Sequence, residues 1–482
     1  MSRSPLFFLF CNPGLKIVPV VALAMSVAAC QSDVSGLAVS APDLPMAYAS
    51  AAKLPGKAQR DARLWWQVFG DPVLSALVAR SLEQNLTIAQ AKQQLIAART
   101  MVRASKTLFM PTADISGTAN AGTGSTKSDE LMRRPMQLNL EAGWEIGLFG
   151  LRENTQRSAN ASADMVAEDA EAARIAVAAE IAGTYVRLRA LQEREAIASA
   201  SLALLGRDGQ LATVKYRSGL ATASDAEEAR ISLGDARVEG VKLRTQIEST
   251  LQQIATLLGT SSIDSSLRQP RPQPVAKLDP AIGRPTDLLR ARPDIRRAEL
   301  ATVRAAAEIG IAQADLYPKL RLSGMIGIGG PASGSLFGVM GGPSIQIPLL
   351  DQGRRRAVVA ARQAQFEETA AAYKHSVLAA YEEASTALQT WSAGRSAVHQ
   401  FKQTLAAVRK IQAESAVLER AGLSDQSKQT ANAIRVLGQR RQLAEAQEAE
   451  ALALIAFYKA IGGASPLSAG MSGANTVRQR KQ

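Results

Sequence analysis

Residues 136–156 read MQLNLEAGWEIGLFGLRENTQ, and the two halves of that string have different periods. From Met136 to Ile146 the residues Met136, Leu138, Leu140, Ala142, Trp144 and Ile146 share one face, while Gln137, Asn139, Glu141 and Glu145 share the other. A period of two is that of a strand with one apolar and one polar side. After Phe149-Gly150-Leu151-Arg152 the alternation stops, and from Arg152 to Tyr216 there are 65 residues without a proline. At ~1.5 Å per residue a helix of that length extends roughly 100 Å, about three times the thickness of a bilayer's hydrocarbon layer. A strand thus feeds straight into a very long helix.

The same sentence is written twice. Phe109-Met110-Pro111 returns as Leu316-Tyr317-Pro318, and Phe149-Gly150-Leu151-Arg152 as Gln352-Gly353-Arg354-Arg355. Tyr216-Arg217-Ser218-Gly219-Leu220 returns as Glu419-Arg420-Ala421-Gly422-Leu423, and Leu258-Gly259 as Ile461-Gly462. The offsets are 207, 203, 203 and 203 residues, which marks an internal duplication. Each half holds two alternating stretches, predicted as strands over 112–121 and 136–146, then 319–328 and 338–349. Each then holds a long helix and a shorter returning one, over 152–216 and 222–258, then 354–420 and 424–461. Val177, Ile181, Leu188, Leu191, Leu202 and Leu205 are spaced by sums of threes and fours, as a coiled-coil seam requires. A helix opening at Asp71-Pro72 and continuing to about Leu108 precedes the first strand pair, with a counterpart from Pro293 to about Leu316. Between the halves, residues 260–291 are proline-rich and read as an extended linker.

Strands of ten or eleven residues with one apolar face suit the wall of a transmembrane barrel, and equally a half-buried hairpin in a soluble domain. The barrel reading forces an oligomer. One chain offers four strands, and an open four-stranded sheet leaves its edges unsatisfied in lipid. Two copies give about eight strands and an interior filled by side chains; three give about twelve and an open lumen.

The N-terminus sets the compartment. Arg3 and Lys16 are the only charged residues before Cys30, and Ile17–Val27 is an almost wholly apolar run, too short to span a bilayer. Ala28-Ala29-Cys30 after such a run resembles the lipobox of bacterial lipoproteins, which implies a signal peptide over 1–29, acylation of Cys30 and a lipidated segment over 30–70. A plain secretory signal with Cys30 as a bystander is the alternative. Gln31 after the cysteine favours, by the same resemblance, sorting to the outer membrane of a Gram-negative cell. Among 482 residues there are two cysteines, two histidines and a formal charge of +13. The cysteine and histidine counts argue against zinc sites and a disulfide framework. An exported lipoprotein does not meet nucleic acid, so the basic charge is not read as a DNA footprint. Aromatic residues make up only 4% while alanine is abundant, the composition of closely packed helices. Glu367-Glu368 and Glu382-Glu383 read as charged helix faces, not acid–base pairs, and no nucleophile elbow or phosphate loop is present, so neither enzymatic activity nor a cofactor is expected.

Taken with the duplication, several strings resemble the outer membrane factors, TolC-like proteins, and most of all their NodT-type lipoprotein branch. These are Trp65-Trp66-x-x-Phe69-x-Asp71-Pro72-x-Leu74, Arg292-Pro293-Asp294-Ile295-Arg296-x-Ala298-Glu299 with Ile309-Gly310-Ile311-Ala312, and Pro348-Leu349-Leu350-Asp351-Gln352-Gly353-Arg354. The resemblance spans nearly all of the chain beyond the signal, with repeats over 71–259 and 292–462 and a tail over 463–482. It implies a mixed α/β membrane fold: a homotrimeric 12-stranded β-barrel in the outer membrane, continued by an α-helical periplasmic tunnel. It also implies two partners, a periplasmic adaptor and an inner-membrane pump of the resistance-nodulation-division type, and a passive conduit for drugs or other small molecules. A type I conduit for protein secretion and a pore-free coiled-coil lipoprotein are the alternatives. By resemblance the docking tips are Ser218, Gly219, Leu220, Ala421, Gly422 and Leu423. The candidate entrance gate is Tyr216, Arg217, Asp225, Glu419, Asp425 and Lys428. Lys428 and Glu419 depart from the TolC pattern, which leaves Lys428–Asp225 or Arg217–Glu419 pairing as the expected lock.

Overall fold

The structure, a computed structural model, describes residues 39–48, 62–119, 136–276, 284–330, 336–421, 423 and 425–463. The expected signal peptide, Cys30, Gly422 and nearly all of the C-terminal tail lie outside the described residues. In the first half, helices α1 (Pro72–Gln84) and α2 (Leu86–Thr107) precede strands β1 (Thr112–Ala119) and β2 (Met136–Ile146). Helices α3 (Leu151–Arg217) and α4 (Ala223–Leu257) follow. The second half runs α5 (Pro293–Ala314), β3 (Lys319–Gly330), β4 (Leu336–Gln346), α6 (Gln352–Arg420) and α7 (Gln426–Ala460).

The chain divides into two compact units. One comprises Met1–Ser40, Ala97–Asp164 and Glu299–Ala371; the other comprises Ala41–Ile96, Met165–Ala298 and Ala372–Gln482. The first unit holds a single antiparallel sheet in the order β1-β2-β3-β4. Ile115 lies opposite Leu140, Leu140 opposite Ile326, and Ile326 opposite Val339, so one cross-strand row is apolar throughout. In the same unit, Ala305, Ala306, Ile309 and Phe366 form a small buried cluster against which Val39 packs. Small residues are required there: a Cβ on Gly310 would sit 2.3 Å from the Asn154 side-chain nitrogen.

The second unit is a helical core. Trp65, Phe69, Leu74, Tyr185, Leu188, Ile254, Phe457 and Tyr458 are all buried, and Trp65 stacks on Tyr458 with ring centroids 5.5 Å apart. Asp71 performs two tasks. Its Oδ1 accepts from the Val73 and Leu74 backbone N–H groups at 2.8 and 3.2 Å, capping α1, while Tyr185 donates its hydroxyl to Oδ2 at 2.8 Å. The linker is fastened by Arg189, fully buried on α3, which donates to the carbonyls of Gln269 at 2.7 Å and Leu267 at 3.3 Å. Gln192 adds a bond to the Leu267 carbonyl at 2.8 Å, and a short 3-10 turn over Ser265–Arg268 lets Leu267 bury its side chain. In the same unit Tyr48 stacks on Tyr381, and burial pushes its hydroxyl up to about 12.

Two expectations need correction. The helix read from Asp71 to about Leu108 is two helices, because Asn85 is extended (ψ 130°). Its side chain accepts from the N–H groups of Thr87 and Ile88, at 2.9 and 3.2 Å, and so starts a new helix. Its amide also donates to the Leu257 carbonyl at 2.8 Å, a contact 172 residues away that no local pattern announces. The last strand ends at Gln346 rather than 349, because its pairing partner at that level is Lys319, the first residue of β3 after Pro318. Residues 120–121 of the first predicted strand lie outside the described residues.

Gly259 and Gly219 both adopt positive φ, +70° and +73°, yet their surroundings differ. A Cβ on Gly259 would lie 2.6 Å from the Gln84 carbonyl oxygen, whereas one on Gly219 meets nothing within 4 Å. Gly219→Ala is therefore expected to lose about 1 kcal/mol through backbone strain alone. Gly259→Ala is expected to lose at least twice as much, measured side by side by thermal denaturation.

Candidate functional site

The functional geometry has two parts, a two-faced sheet and a pair of helix tips. In the sheet, the register gathers Ile115, Leu138, Leu140, Leu322, Ile326, Ile328, Val339 and Ile345 on one face. None of these is buried within the chain: Ile115 is 73% exposed, Val339 68% and Ile345 66%. So extended an apolar surface is not tolerated in water and marks a lipid or protein contact. The opposite face carries Asp114, Ser116, Asn139, Glu141, Glu145, Arg321 and Ser323. Strands β1 and β4 are the edges of the sheet, each with one side unpaired in the chain. Among the described residues no helix is long and apolar enough to cross a membrane.

The tips are built by helix-ending hydrogen bonds. At the end of α3 the Leu220 N–H donates to the Lys215 carbonyl at 2.8 Å and Gly219 N–H to Tyr216 at 3.0 Å, with Gly219 left-handed. At the end of α6 the Leu423 N–H reaches the Leu418 carbonyl at 2.9 Å, the same six-residue closure. The duplicated ends repeat it: Thr260 N–H bonds to Ala255 and Gly463 N–H to Tyr458. Each tip pushes one leucine outward; Leu220 is 78% and Leu423 76% exposed. Ser218 and Ala421 close the last turn of their helices by backbone bonds to Val214 and Val417.

The charged residues beside the tips pair differently from the lock suggested by the sequence. Asp225 is the third residue of α4 and completes a capping box: its carboxylate accepts from the Thr222 backbone at 2.8 Å and hydroxyl at 2.7 Å. Those two bonds hold its carboxyl below the usual carboxylate range. Among the described residues no ion pair joins Lys428 to Asp225 or Arg217 to Glu419 within the chain. The pair that does form is Lys215–Asp425, 3.0 Å apart, with Lys215 also donating to Ser427 at 3.1 Å. It ties the last turn of α3 to the start of α7. Lys215 was absent from the sequence-derived set, and its partner lies 210 residues away, beyond any local signal. Tyr216 is half exposed at the rim of a cleft between α3 and α4.

These features suit an outer-membrane channel subunit, and comparison with known proteins gives its family. The model described as "Outer membrane efflux protein" matches residues 77–260 and 285–463, one segment in each repeat. Nodulation protein T of Rhizobium leguminosarum bv. trifolii is 29% identical over 333 residues, covering 67% of this chain and 71% of that protein. The toluene efflux pump outer membrane protein TtgF of Pseudomonas putida is 30% identical over 353 residues, covering 68% and 70%. The outer-membrane channel OprN superposes with a TM-score of 0.76 at 27% identity, covering 89% of this chain and 99% of that one. The Campylobacter jejuni CmeC outer membrane channel, at 17% identity and a TM-score of 0.77, shares the fold. The chain belongs to the outer membrane efflux protein family. It is an outer-membrane channel component of an efflux system.

The Lys215 ammonium, donating to Asp425, holds that carboxyl below the usual carboxylate range. A carboxyl lowered in the folded state contributes fully above its ordinary range and loses that contribution as pH falls through the lowered value. In single-channel recordings, Lys215→Met and Asp425→Asn are therefore expected to be coupled at pH 7, and the coupling is expected to fade only as pH falls below the ordinary carboxylate range. Additivity at pH 7 would remove the tie.

Proposed function

We propose that three copies close into a barrel of about twelve strands, with the apolar face toward lipid and the Asp114–Glu141–Arg321 face toward a water-filled lumen. The observation that carries this reading is the four-stranded sheet with an exposed apolar face and two open edges. Pairing β4 of one copy with β1 of the next satisfies both edges at once, and a third copy closes the ring. The helical hairpins α3–α4 and α6–α7 then form a periplasmic tunnel. Their tips at Ser218, Gly219, Leu220, Ala421, Gly422 and Leu423 meet a periplasmic adaptor, which links the duct to a resistance-nodulation-division pump in the inner membrane. The pump supplies energy and selects the cargo, and the duct carries drugs or other small molecules passively. The names of the relatives, among them a toluene efflux component, favour small molecules over secreted proteins.

Cys30 is the acylation site that fixes the N-terminal segment in the outer membrane. The entrance is held shut by charges beside the tips. The Lys215–Asp425 tie supports a role for Asp425, while Tyr216, Arg217, Asp225, Glu419 and Lys428 remain its candidate neighbours across copies.

Purified, detergent-extracted protein is expected to run as a heat-modifiable trimer and to open channels in planar bilayers; a monomer without conductance contradicts the reading. Ile326→Arg, on the apolar face, is expected to cost roughly 2–4 kcal/mol of barrel stability. Met325→Arg, on the opposite face, is expected to cost little. The temperature at which the trimer dissociates on gels compares them. Cys30→Ser is expected to abolish palmitate labelling and to release the N-terminal segment to proteolysis, without preventing trimer formation.

A further inference from the structure

We infer that Met325 on β3 and Met340 on β4 form a site for a soft monovalent cation, copper(I) or silver(I), on the polar face of the sheet. That this face borders a lumen rests on the barrel proposed above; the pairing of the two thioethers lies within one chain. The register places Met325 directly opposite Met340, and the same row continues through Glu141 on β2 to Asp114 on β1.

Residues directly opposite in an antiparallel pair share a face, with Cβ atoms about 4.5–5.5 Å apart. At that spacing two flexible thioether arms can converge on one small ion. Thioether sulfur is a soft ligand that selects copper(I), whereas sodium and magnesium prefer oxygen.

The rows on either side leave the pair uncovered. Gly327 lies opposite Gly338 and Ser323 opposite Gly342, so the two methionines rise from a floor of glycine and serine. A Cβ on Gly338 or Gly342 would meet nothing within 4 Å, and Met340 is 69% exposed. Methionine in a core is covered by its neighbours. This pair is not, and it interrupts a face that otherwise carries carboxylates, amides, hydroxyls and an arginine.

Oxygen groups beside the pair favour a cation. Glu141 adjoins Met325 in the row, and among the described residues neither it nor Asp114 is held in an ion pair. Asn139 leans its Oδ1 over Gly327, 3.0 Å from where a Cβ would stand, and that oxygen has no hydrogen-bond partner. The carboxylates alone do not make a site: among the described residues no three His, Cys, Asp or Glu side chains gather as metal ligands. The sulfurs supply selectivity, and the negative charge beside them raises the local concentration of cations.

The probe is silver(I), which needs no reductant, added as the nitrate to chloride-free buffer. Calorimetric titration of the purified full-length protein is expected to show one strong site per chain, weakened at least tenfold in Met325→Leu/Met340→Leu. Leucine removes the sulfur while nearly keeping the volume. Met340→Leu alone leaves a single thioether and is expected to lose the strong site too, which covers a double variant that fails to assemble. In planar bilayers silver is expected to lower the conductance of the parent channel. The half-blocking concentration is expected to rise at least tenfold in the double variant and to stay unchanged in Met110→Leu, an exposed methionine outside the strands. Equal silver binding by the parent and both methionine variants would overturn the site. Binding lost in the variants, with parent channels that conduct and ignore silver, would contradict its place in the lumen. Absence of channels altogether would remove the barrel reading instead, and the titration would still decide the site.

Discussion

A backbone N–H or C=O left without a partner in hydrocarbon costs several kcal/mol, and β1 and β4 each present a row of such groups. In the proposed barrel, that single constraint organises the sheet. Within that proposal it makes the four-stranded sheet, with its exposed apolar face, a fragment that copies of the chain complete. Lipid on one side and water on the other, as the same proposal has it, match the leucine, isoleucine and valine residues uncovered on one face and the carboxylates and arginine on the other. On the same proposal, a lumen wider than one ring of side chains needs more strands than the four described in one chain.

The helical part obeys a different economy. Most helix residues here carry alanine, serine or charge, and the few large side chains are concentrated where several elements meet, at Trp65, Tyr185, Trp391, Phe457 and Tyr458. Buried polar contacts do the joining: Asp71 with Tyr185, Arg189 with the linker carbonyls, Asn85 with the end of α4. The four glycine landmarks of the duplication mark helix ends. Gly219, Gly259 and Gly462 are left-handed, and the closures at all four ends follow one hydrogen-bond scheme. Yet the repeats are not interchangeable. The first places glycines and unpaired arginines beside its tip, and the second fills the same positions with long side chains.

Much of this was legible in the sequence because it rests on periodicity. The alternation over Met136–Ile146, the proline-free runs and the glycines at a fixed offset each report a local backbone preference that tertiary packing had no reason to override. What stayed hidden depends on residues far apart in the chain. Asn85 looks like a helix residue until Leu257 takes its amide. Asp225 reads as a gate residue, and its carboxylate is spent on capping its own helix. Lys215 has no distinguishing neighbour in sequence, and only the meeting of α3 with α7 gives it Asp425. Charge-pair partners are the least readable feature because a shift of one helical turn exchanges them without disturbing any pattern.

The central claim is that β1 of one copy pairs with β4 of the next, and a disulfide across that seam tests it most directly. The mature chain is expected to keep only Cys30, so Cys30→Ser provides a background for Ile115→Cys combined with a cysteine stepped along Val339 to Ile345 on β4. Oxidation in native membranes is predicted to yield a covalent trimer on denaturing gels for cysteines at one or two adjacent levels of β4, and none at the others. A ladder of chains without a limit at three, or uncrosslinked monomer at every position, would contradict the account.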